Sequence, residues 1–288
     1  MKFPRRLRWV AVCVLLGAGA IAVGGVLLCE NALRLPPSRH IRADPRVAPE
    51  VSVTAADGVV LRGWLLEPPP PANATVVILH GVADARSGVL GHARMLVRHG
   101  FRVLAPDSRG HGLSGGDQFT FGLREVDDVR RWVDWLQHRN PGQAVYGLGE
   151  SMGAGILLQA AGSGVGFRSV VAESPFSSFH EIALYRVGQY VPLGVPLFVE
   201  SALLYARWKY GLELDSVSPV ESVRRATLPI LLIHGSEDTN IPPQHSATIA
   251  AANPRYVQLW LVTGGRHTDA AVRQPALFEQ RVVAWFRR

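Results

Sequence analysis

Gly149-Glu150-Ser151-Met152-Gly153 is the most informative segment of this sequence. An apolar run, residues 144–148, precedes this G-x-S-x-G pentapeptide, and an Ala- and Leu-rich segment, residues 154–161, follows it. The pattern predicts a strand, a sharp turn and a helix. A turn of this kind lifts a serine hydroxyl above a sheet, beside a backbone N–H group at the helix start that can bind a developing oxyanion.

The two glycines of the pentapeptide are predicted to be a steric requirement. A strained turn brings backbone segments close together, so side chains at Gly149 and Gly153 would collide with them. The pentapeptide alone is weak evidence of catalysis, because glycine and serine are common turn residues.

Residues that could complete a catalytic site around Ser151 lie downstream. A nucleophilic serine needs a base, and the base needs an acid that orients it. Two further strand patterns, residues 229–233 and 257–262, are followed by loops that contain Asp238 and His267. Because the carboxyl ends of parallel strands meet at one edge of a sheet, we expect these side chains near Ser151. The chain order Ser, Asp, His also agrees with the order typical of this arrangement.

Two more motifs carry a resemblance to a known family. His80-Gly81 follows a predicted strand at residues 75–79, and the turn Asp107-Ser108-Arg109-Gly110-His111-Gly112-Leu113-Ser114 follows a predicted strand at residues 102–105. With these motifs the chain resembles the α/β-hydrolases from about residue 51 to its C-terminus. Within that family it is most similar to membrane-anchored hydrolases related to the prolyl-oligopeptidase and serine-aminopeptidase branches.

The resemblance implies both a fold and a set of roles. The expected fold is α/β, a doubly wound, mostly parallel sheet with an inserted lid. Ser151 is then the nucleophile, His267 the general base and Asp238 the orienting acid. The backbone N–H groups of Met152 and Val82 are expected to form the oxyanion hole. Acyl transfer at such a site requires no cofactor.

Two carboxylates compete with Asp238 for the role of the acid. Glu237 is its neighbour in the chain, and Glu173 ends the preceding strand, a position that some relatives use. Asp238 is favoured because it is the third residue after Gly235, where the family places its acid.

The other histidines are predicted to be structural. His92, His99 and His138 fall on predicted helices and are expected at the surface, and His245 is expected to be exposed on the helix after Pro242-Pro243. His80, His111 and His234 sit beside glycines at strand ends and are expected to hydrogen-bond neighbouring loops.

The N-terminal region predicts a membrane anchor. Residues 9–28 form a run of 20 residues without a charge, which is long enough for a helix that crosses a bilayer. Basic residues precede this run at positions 2, 5, 6 and 8. They predict a cytoplasmic N-terminus and an extracytoplasmic catalytic domain on a single-pass protein of the cell membrane. A cleaved signal peptide is the alternative, with Ala18-Gly19-Ala20 as a possible cleavage site.

The sequence predicts three segments along the chain. Residues 1–28 are a basic tail and anchor, residues 29–49 a Pro-rich linker, and residues 50–288 the hydrolase domain. A hairpin is predicted at the start of that domain, from residues 51–54 and 59–66 around Asp57-Gly58.

Composition and motifs argue against several other functions. Four of the 30 basic residues precede the anchor. The rest of the chain then has 26 basic and 23 acidic residues, which is a net charge of +3. No basic run with interleaved aromatic residues is found, so no nucleic-acid partner is expected. The sequence contains no H-E-x-x-H motif, calcium-binding loop, P-loop or dinucleotide fingerprint, so no metal or cofactor is predicted.

An insertion interrupts the alternation of strands and helices. Residues 176–226 separate two predicted strands, and a structureless loop of that length is improbable in a compact domain. The segment is expected to be a lid. Its aromatic residues either pack the lid onto the core, or line an acyl pocket or touch the bilayer. They are Phe176, Phe179, Tyr185, Tyr190, Phe198, Tyr205, Trp208 and Tyr210.

These observations predict a serine hydrolase that cleaves esters or thioesters with apolar acyl groups, lipids included. A peptidase acting on short peptides is one alternative, and Glu173, Glu181 or Glu200 could then receive a peptide N-terminus. A catalytically idle, membrane-tethered binding module is the other alternative. An intact triad argues against it, because an idle fold has no need of all three residues.

Overall fold

The computed structural model describes residues 5–34, 47–70, 72 and 74–288. These residues form one eight-stranded sheet flanked by helices. The strands are β1 (Glu50–Thr54), β2 (Val60–Leu66), β3 (Ala74–Leu79), β4 (Arg102–Pro106), β5 (Ala144–Glu150), β6 (Val170–Glu173), β7 (Ile230–Gly235) and β8 (Val257–Val262). The helices are α1 (Arg5–Leu33), α2 (Leu90–Arg98), α3 (Glu125–Arg139), α4 (Met152–Gly162), α5 (Phe179–Gly188), α6 (Val195–Tyr210), α7 (Pro219–Arg225), α8 (Gln244–Ala252), α9 (Ala270–Arg273) and α10 (Pro275–Phe286).

The strand order in the sheet is β1-β2-β4-β3-β5-β6-β7-β8. Strands β3 to β8 are parallel, and the β1–β2 hairpin extends the sheet in antiparallel pairing next to β4. Every residue of β3 and β7 is buried, as expected for parallel strands with helices on both faces. The predicted α/β fold with a mostly parallel sheet is therefore confirmed, as is the hairpin at Asp57-Gly58.

Two apolar layers cover the sheet. One contains buried residues of α3, α4 and α8, and the other contains buried residues of α2 and α10. In α3, Val129, Val133 and Leu136 point into the first layer, which is the face that the period of the sequence predicts.

The insertion between β6 and β7 is narrower than predicted. Helices α5 and α6 pack into a separate apolar cluster above the carboxyl edge of the sheet. Helix α7, in contrast, places Val223 in the core beside α4, and the Ser222 backbone lies so close to Gly162 that no Cβ would fit there. Within residues 176–226, the segment predicted to be a lid, α5 and α6 therefore pack in their own cluster, whereas α7 belongs to the α/β core.

The N-terminal helix is longer than predicted. Its segment Val12–Leu33 is long and apolar enough to cross a membrane. The helix continues past residue 28, so residues 29–33 are helical and do not belong to an extended linker. Residues 35–46 of that predicted linker, and Lys2 of the basic tail, lie outside the described residues.

Candidate active site

Ser151 lies in the turn between β5 and α4. Its backbone angles, φ 52° and ψ −114°, are rare for a residue that carries a side chain. The turn is tied to the neighbouring strand, because the Ser151 N–H donates to the carbonyl oxygen of Glu173 over 2.8 Å. This turn aims the Ser151 side chain into a cavity at the carboxyl edge of the sheet.

Glycine is required on both sides of this serine. A Cβ atom at Gly153 would lie 2.5 Å from the carbonyl oxygen of Leu79, and one at Gly149 would lie 2.6 Å from the carbonyl oxygen of Gly153. Real Cβ atoms essentially never approach a backbone oxygen so closely. The predicted steric role of both glycines is confirmed.

The structure brings Ser151, His267 and Asp238 together. The Nε2 atom of His267 lies 3.0 Å from the Ser151 hydroxyl, and its Nδ1 atom lies 2.7 Å from Oδ2 of Asp238. A carboxylate only accepts hydrogen bonds, so Nδ1 carries the imidazole proton and Nε2 is free to accept the one from the hydroxyl. An imidazole held in this way can act as a base toward the serine.

Asp238 is held in its ionised form by several donors. Burial disfavours its charge, but hydrogen bonds from His234 and His267 and from the backbone N–H of Ile241 keep the pKa of Asp238 well below its usual range. The Nε2 atom of His234 is 3.2 Å from Oδ2 of Asp238, the oxygen that also binds His267. Sequence reasoning predicted that His234 binds a loop, which it does through the Ile241 carbonyl, but missed its contact with Asp238.

The two residues expected to form an oxyanion hole border the same cavity. Met152 begins α4, and Val82 lies in the loop after β3; both line the cavity with Ser151. This loop passes close to the serine, since a Cβ at Gly81 would lie 3.4 Å from the Cβ of Ser151.

His80 fixes the loop after β3. Its Nε2 atom accepts a hydrogen bond from the Ser108 N–H at 3.0 Å, and its Nδ1 atom contacts the Gly81 carbonyl at 2.7 Å. Complete burial lowers the pKa of His80 to about 4, so the ring is neutral at neutral pH. The nearby ring of His111, whose pKa burial also lowers to about 4, contacts the Ala83 N–H of the same loop. The loop contacts predicted for both histidines are confirmed.

Glu173, the rival acid, does not contact His267. One of its carboxylate oxygens accepts the Ala270 N–H at 3.0 Å, and the other has no hydrogen-bond partner within the described part of the chain. Burial, followed by the charge of Glu150, raises the pKa of Glu173 to about 7. Glu237 likewise makes no side-chain hydrogen bond to His267, which binds Asp238 instead.

His92 joins these two glutamates in a cluster behind the turn. Its Nε2 atom lies 2.6 Å from Glu150, and one ligand atom from each of His92, Glu150 and Glu173 lies within 4.8 Å of the others. This spacing could hold a metal ion. Sequence reasoning missed the cluster and predicted His92 at the surface, because its members come from α2, β5 and β6 and form no local motif.

His245 differs from its prediction. It is buried, and its Nδ1 atom contacts the Ser177 hydroxyl at 2.7 Å. His245 is buried because the connection between β6 and α5, which contains Ser177, packs over it. The predicted exposure of His245 is therefore wrong.

An apolar cavity of about 730 Å³ adjoins the Ser151 hydroxyl. Its volume lies in the range of small-molecule sites, about 300–1,000 Å³. Aromatic residues of the lid and of the loop before α3 line it: Phe119, Phe121, Phe176, Phe179 and Tyr190. Of the remaining aromatic residues of the lid, Phe198 faces α1, and Trp208 is 80% exposed on the outer surface of α6. Neither of them lines the cavity.

Helix α1 also contributes to the cavity wall. Leu28, Cys29 and Ala32 line it together with residues of the predicted lid. The end of α1 is anchored to the domain, because Leu33 is fully buried and its carbonyl oxygen accepts the Phe119 N–H at 3.1 Å. Sequence reasoning assigned this region to the anchor and linker and did not place it in the site.

Comparisons with known proteins identify relatives of this chain. Residues 70–191 match the family described as serine aminopeptidase, S33. The uncharacterized protein YfhR of Escherichia coli is 33% identical over an alignment of 249 positions that covers 83% of this chain and 80% of that protein. Human monoglyceride lipase is 28% identical over 218 residues, 64% of this chain and 71% of the lipase.

A solved structure supports the fold. The esterase Pf2001 of Pyrococcus furiosus superimposes with a TM-score of 0.73 at 23% identity, over 88% of this chain and 98% of the esterase. At this level of identity the likeness establishes the arrangement of strands and helices.

Proposed function

Since the chain belongs to the α/β-hydrolase superfamily of enzymes, we propose that it is a serine hydrolase that cleaves ester or thioester bonds of apolar acyl substrates, including lipids. The observation that carries this proposal is the hydrogen-bonded series Ser151, His267 and Asp238 at the wall of an apolar cavity.

Each residue has a distinct role in the proposed reaction. Ser151 attacks the substrate carbonyl carbon while His267 takes the hydroxyl proton, and Asp238 holds the imidazole and stabilises its charged form. The N–H groups of Met152 and Val82 stabilise the negative oxygen of the tetrahedral intermediate. The alcohol or thiol leaves with the proton held by His267, and water then releases the acyl group from Ser151. No step requires a cofactor.

The lining of the cavity favours an ester over a peptide. A peptidase that recognises a free N-terminus needs a carboxylate facing the bound amine. The candidates from the sequence were Glu173, Glu181 and Glu200, and none of them is among the described residues that line the cavity. Two other carboxylates, those of Asp84 and Glu150, do line it, and Glu150 lies 2.6 Å from His92. Glu173 is buried against Ala270, whereas Glu181 binds Ser177 and Glu200 lies near His180. The aminopeptidase description of the matched family therefore stays the alternative.

The proposed site of action is the membrane. We assign α1 as an uncleaved anchor that leaves the N-terminus in the cytoplasm and the catalytic domain outside. The length and apolarity of Val12–Leu33 support an anchor. The contacts of α1 with the lid and with Phe119 support the retention of its C-terminal half in the folded protein.

Labelling with a fluorophosphonate probe tests the central claim. The full-length protein in detergent should be labelled, and the Ser151→Ala variant should not. A variant at a serine outside the cavity, Ser163→Ala, should label like the wild type. Absence of labelling in the wild type would favour the idle binding module.

A substrate series then separates an esterase from a peptidase. With p-nitrophenyl esters of increasing chain length, activity should rise by roughly three- to fourfold per carbon until the cavity is full, because each buried methylene contributes about 0.8 kcal/mol. Hydrolysis of aminoacyl-naphthylamides in preference to every ester would assign the chain to the peptidases instead.

A further inference from the structure

Helices α1 and α6 lie side by side and run in the same direction. Gly24 and Gly25 of α1 face Phe198 and Ser201 of α6 so closely that a Cβ at either glycine would collide with them. Farther along both helices, the Tyr205 hydroxyl donates to Glu30 over 3.0 Å. Small residues at such a crossing are typical of helices that pack closely within a membrane.

This pairing sets the depth of α6 if α1 spans a bilayer. Gly24 precedes Leu33, the end of the apolar segment, by nine residues, which places it roughly 13 Å inside that end. The first half of α6 therefore lies beside a part of α1 that is within the hydrocarbon region. Residues 191–199, which contain the start of α6, carry no charge.

The second half of α6 has the composition of a membrane interface. Trp208 and Tyr210 lie level with Glu30 and Arg34 at the end of α1, since Tyr210 contacts both of these residues. Arg207 and Lys209 are found on the same turn. Aromatic and basic side chains are enriched where a helix leaves the hydrocarbon for the headgroup layer.

One face of α6 is apolar and has no protein partner among the described residues. Leu197, Leu204 and Trp208 follow one another at helical spacing and are 57%, 62% and 80% exposed. Leu193, just before the helix, is 83% exposed. Glu200 flanks this stripe and approaches His180 at 3.7 Å. The stripe continues the apolar surface of α1, where Leu27 is 58% exposed.

The cavity lies between these two helices and the catalytic serine. Leu28 and Ala32 of α1, Val199 and Leu203 of α6 and the side chain of Ser151 all border it. An acyl chain bound there would lie against two helices whose outer faces are exposed and apolar, so the cavity and the bilayer would share the same wall.

We infer that α6 is embedded beside α1 in the outer half of the bilayer, and that the two helices together form the acyl-binding wall of a site that takes a lipid ester laterally from the membrane. This inference rests on the proposed hydrolase function. It makes α1 a determinant of substrate specificity in addition to an anchor.

Substitutions in the cavity wall test the role of α1. The full-length protein is reconstituted in phosphatidylcholine vesicles and assayed with soluble p-nitrophenyl butyrate and with vesicle-borne p-nitrophenyl palmitate. Ala32→Phe, which fills the cavity, should lower palmitate kcat/KM by about tenfold or more, a usual cost of overpacking. Butyrate kcat/KM is measured beside it, and the ratio of palmitate to butyrate kcat/KM should fall by about tenfold, because the longer acyl group extends farther along this wall. The matched control Leu27→Phe changes the exposed face of α1 and should alter neither rate.

A second, less disruptive substitution in the same wall tests the role of α1 even if Ala32→Phe disturbs folding. Leu28→Ala enlarges the cavity, so the preferred acyl chain should become longer by one or more carbons. An unchanged chain-length preference in both variants, or equal losses with both esters in both, would show that α1 has only a structural role and overturn the inference.

A charge on the outer face of α6 tests the lateral route. Leu197→Asp should lower hydrolysis of the vesicle-borne ester by about tenfold or more, since a charge in the hydrocarbon region is costly, and leave butyrate turnover unchanged. Leu261→Asp places the same charge on the exposed edge strand β8 and should have no effect on either substrate. Normal palmitate turnover by Leu197→Asp would overturn the inference. Absence of butyrate turnover and of fluorophosphonate labelling in the wild type would instead reject the proposed function.

Discussion

The Nε2 atom of His267 lies 3.0 Å from the hydroxyl oxygen of Ser151, although 116 residues separate the two in the chain. The two residues meet because β5 and β8 are parallel strands of one sheet, and each residue lies beyond the carboxyl end of its strand. The roles proposed for both residues depend on this contact, and the first two predictions follow from it.

Loss of either residue should abolish catalysis. We expect Ser151→Ala and His267→Ala each to lower kcat by about 10⁴-fold or more, because triad members act as a unit. The measurement is steady-state hydrolysis of p-nitrophenyl butyrate, with circular dichroism as the check of folding. His138→Ala, at an exposed position on α3, is the control and should retain full activity. Substantial turnover by Ser151→Ala would remove this serine from the proposed mechanism.

The two rival carboxylates should respond differently to loss of charge. In Asp238→Asn the amide oxygen should stay with the Asn240 and Ile241 N–H groups, which turns the amide NH2 toward His267 Nδ1. We expect kcat to fall by about 10³- to 10⁴-fold because the wrong imidazole tautomer is then favoured. Glu173→Gln retains an oxygen that can accept the Ala270 N–H, so its kcat should stay within a few-fold of the wild type. The reverse ranking in the same ester assay would make Glu173 the acid.

Gly153 should tolerate no side chain. In Gly153→Ala the new Cβ would meet the carbonyl oxygens of Leu79 and His80, and the required shift should lower the free energy of unfolding by about 1–3 kcal/mol. The control is Gly91→Ala in α2, where nothing lies within 4 Å of the added atom and alanine should be neutral or stabilising. Urea unfolding in detergent measures both. Equal stability of the two variants would mean that the turn adapts at no cost.

His80 should make the protein less stable in mild acid. Burial lowers its pKa from 6.5 to about 4 in the folded protein, so between these pH values only the unfolded chain binds the proton. Stability should therefore fall as the pH is lowered from about 6.5 to about 4. His80→Gln removes this contribution, and between pH 7 and pH 4.5 it should lose about 2 kcal/mol less than the wild type. His138→Gln, at an exposed position, should follow the wild type, and parallel curves for His80→Gln and the wild type would contradict the low pKa.

The predicted orientation in the membrane can be read from fusions after Arg288. Alkaline phosphatase should be active and green fluorescent protein dark, because the basic residues before the apolar run keep the N-terminus inside. Mass spectrometry of the purified protein should find the N-terminal segment intact. A fluorescent, phosphatase-inactive pair would reverse the orientation, and a soluble product that begins near Ile21 would show a cleaved signal.

Much of the fold and of the candidate site could be predicted from local sequence. The strand, turn and helix around Ser151 follow from the apolar runs and from two glycines, at positions where an added Cβ atom would have no space. The strand ends before Asp238 and His267 follow from buried apolar runs. Their meeting at one edge follows from the parallel sheet, in which all carboxyl ends point the same way.

The remaining features required the tertiary structure, because they depend on which distant segments pack together. Nothing near His245 indicates that Ser177 covers it, and nothing near His234 indicates that it supports Asp238. The cluster of His92, Glu150 and Glu173 likewise joins three separate elements.

The N-terminal helix α1 has one property that its sequence predicts and another that only the tertiary structure shows. The amino-acid sequence is enough to show that the segment of α1 can cross a membrane, because hydropathy and length are properties of one segment. That its last turns form a wall of the cavity beside α6 was decided only by tertiary packing. The contact surface of a helix depends on the shape of its partner, and the partner here lies more than 160 residues away in the chain.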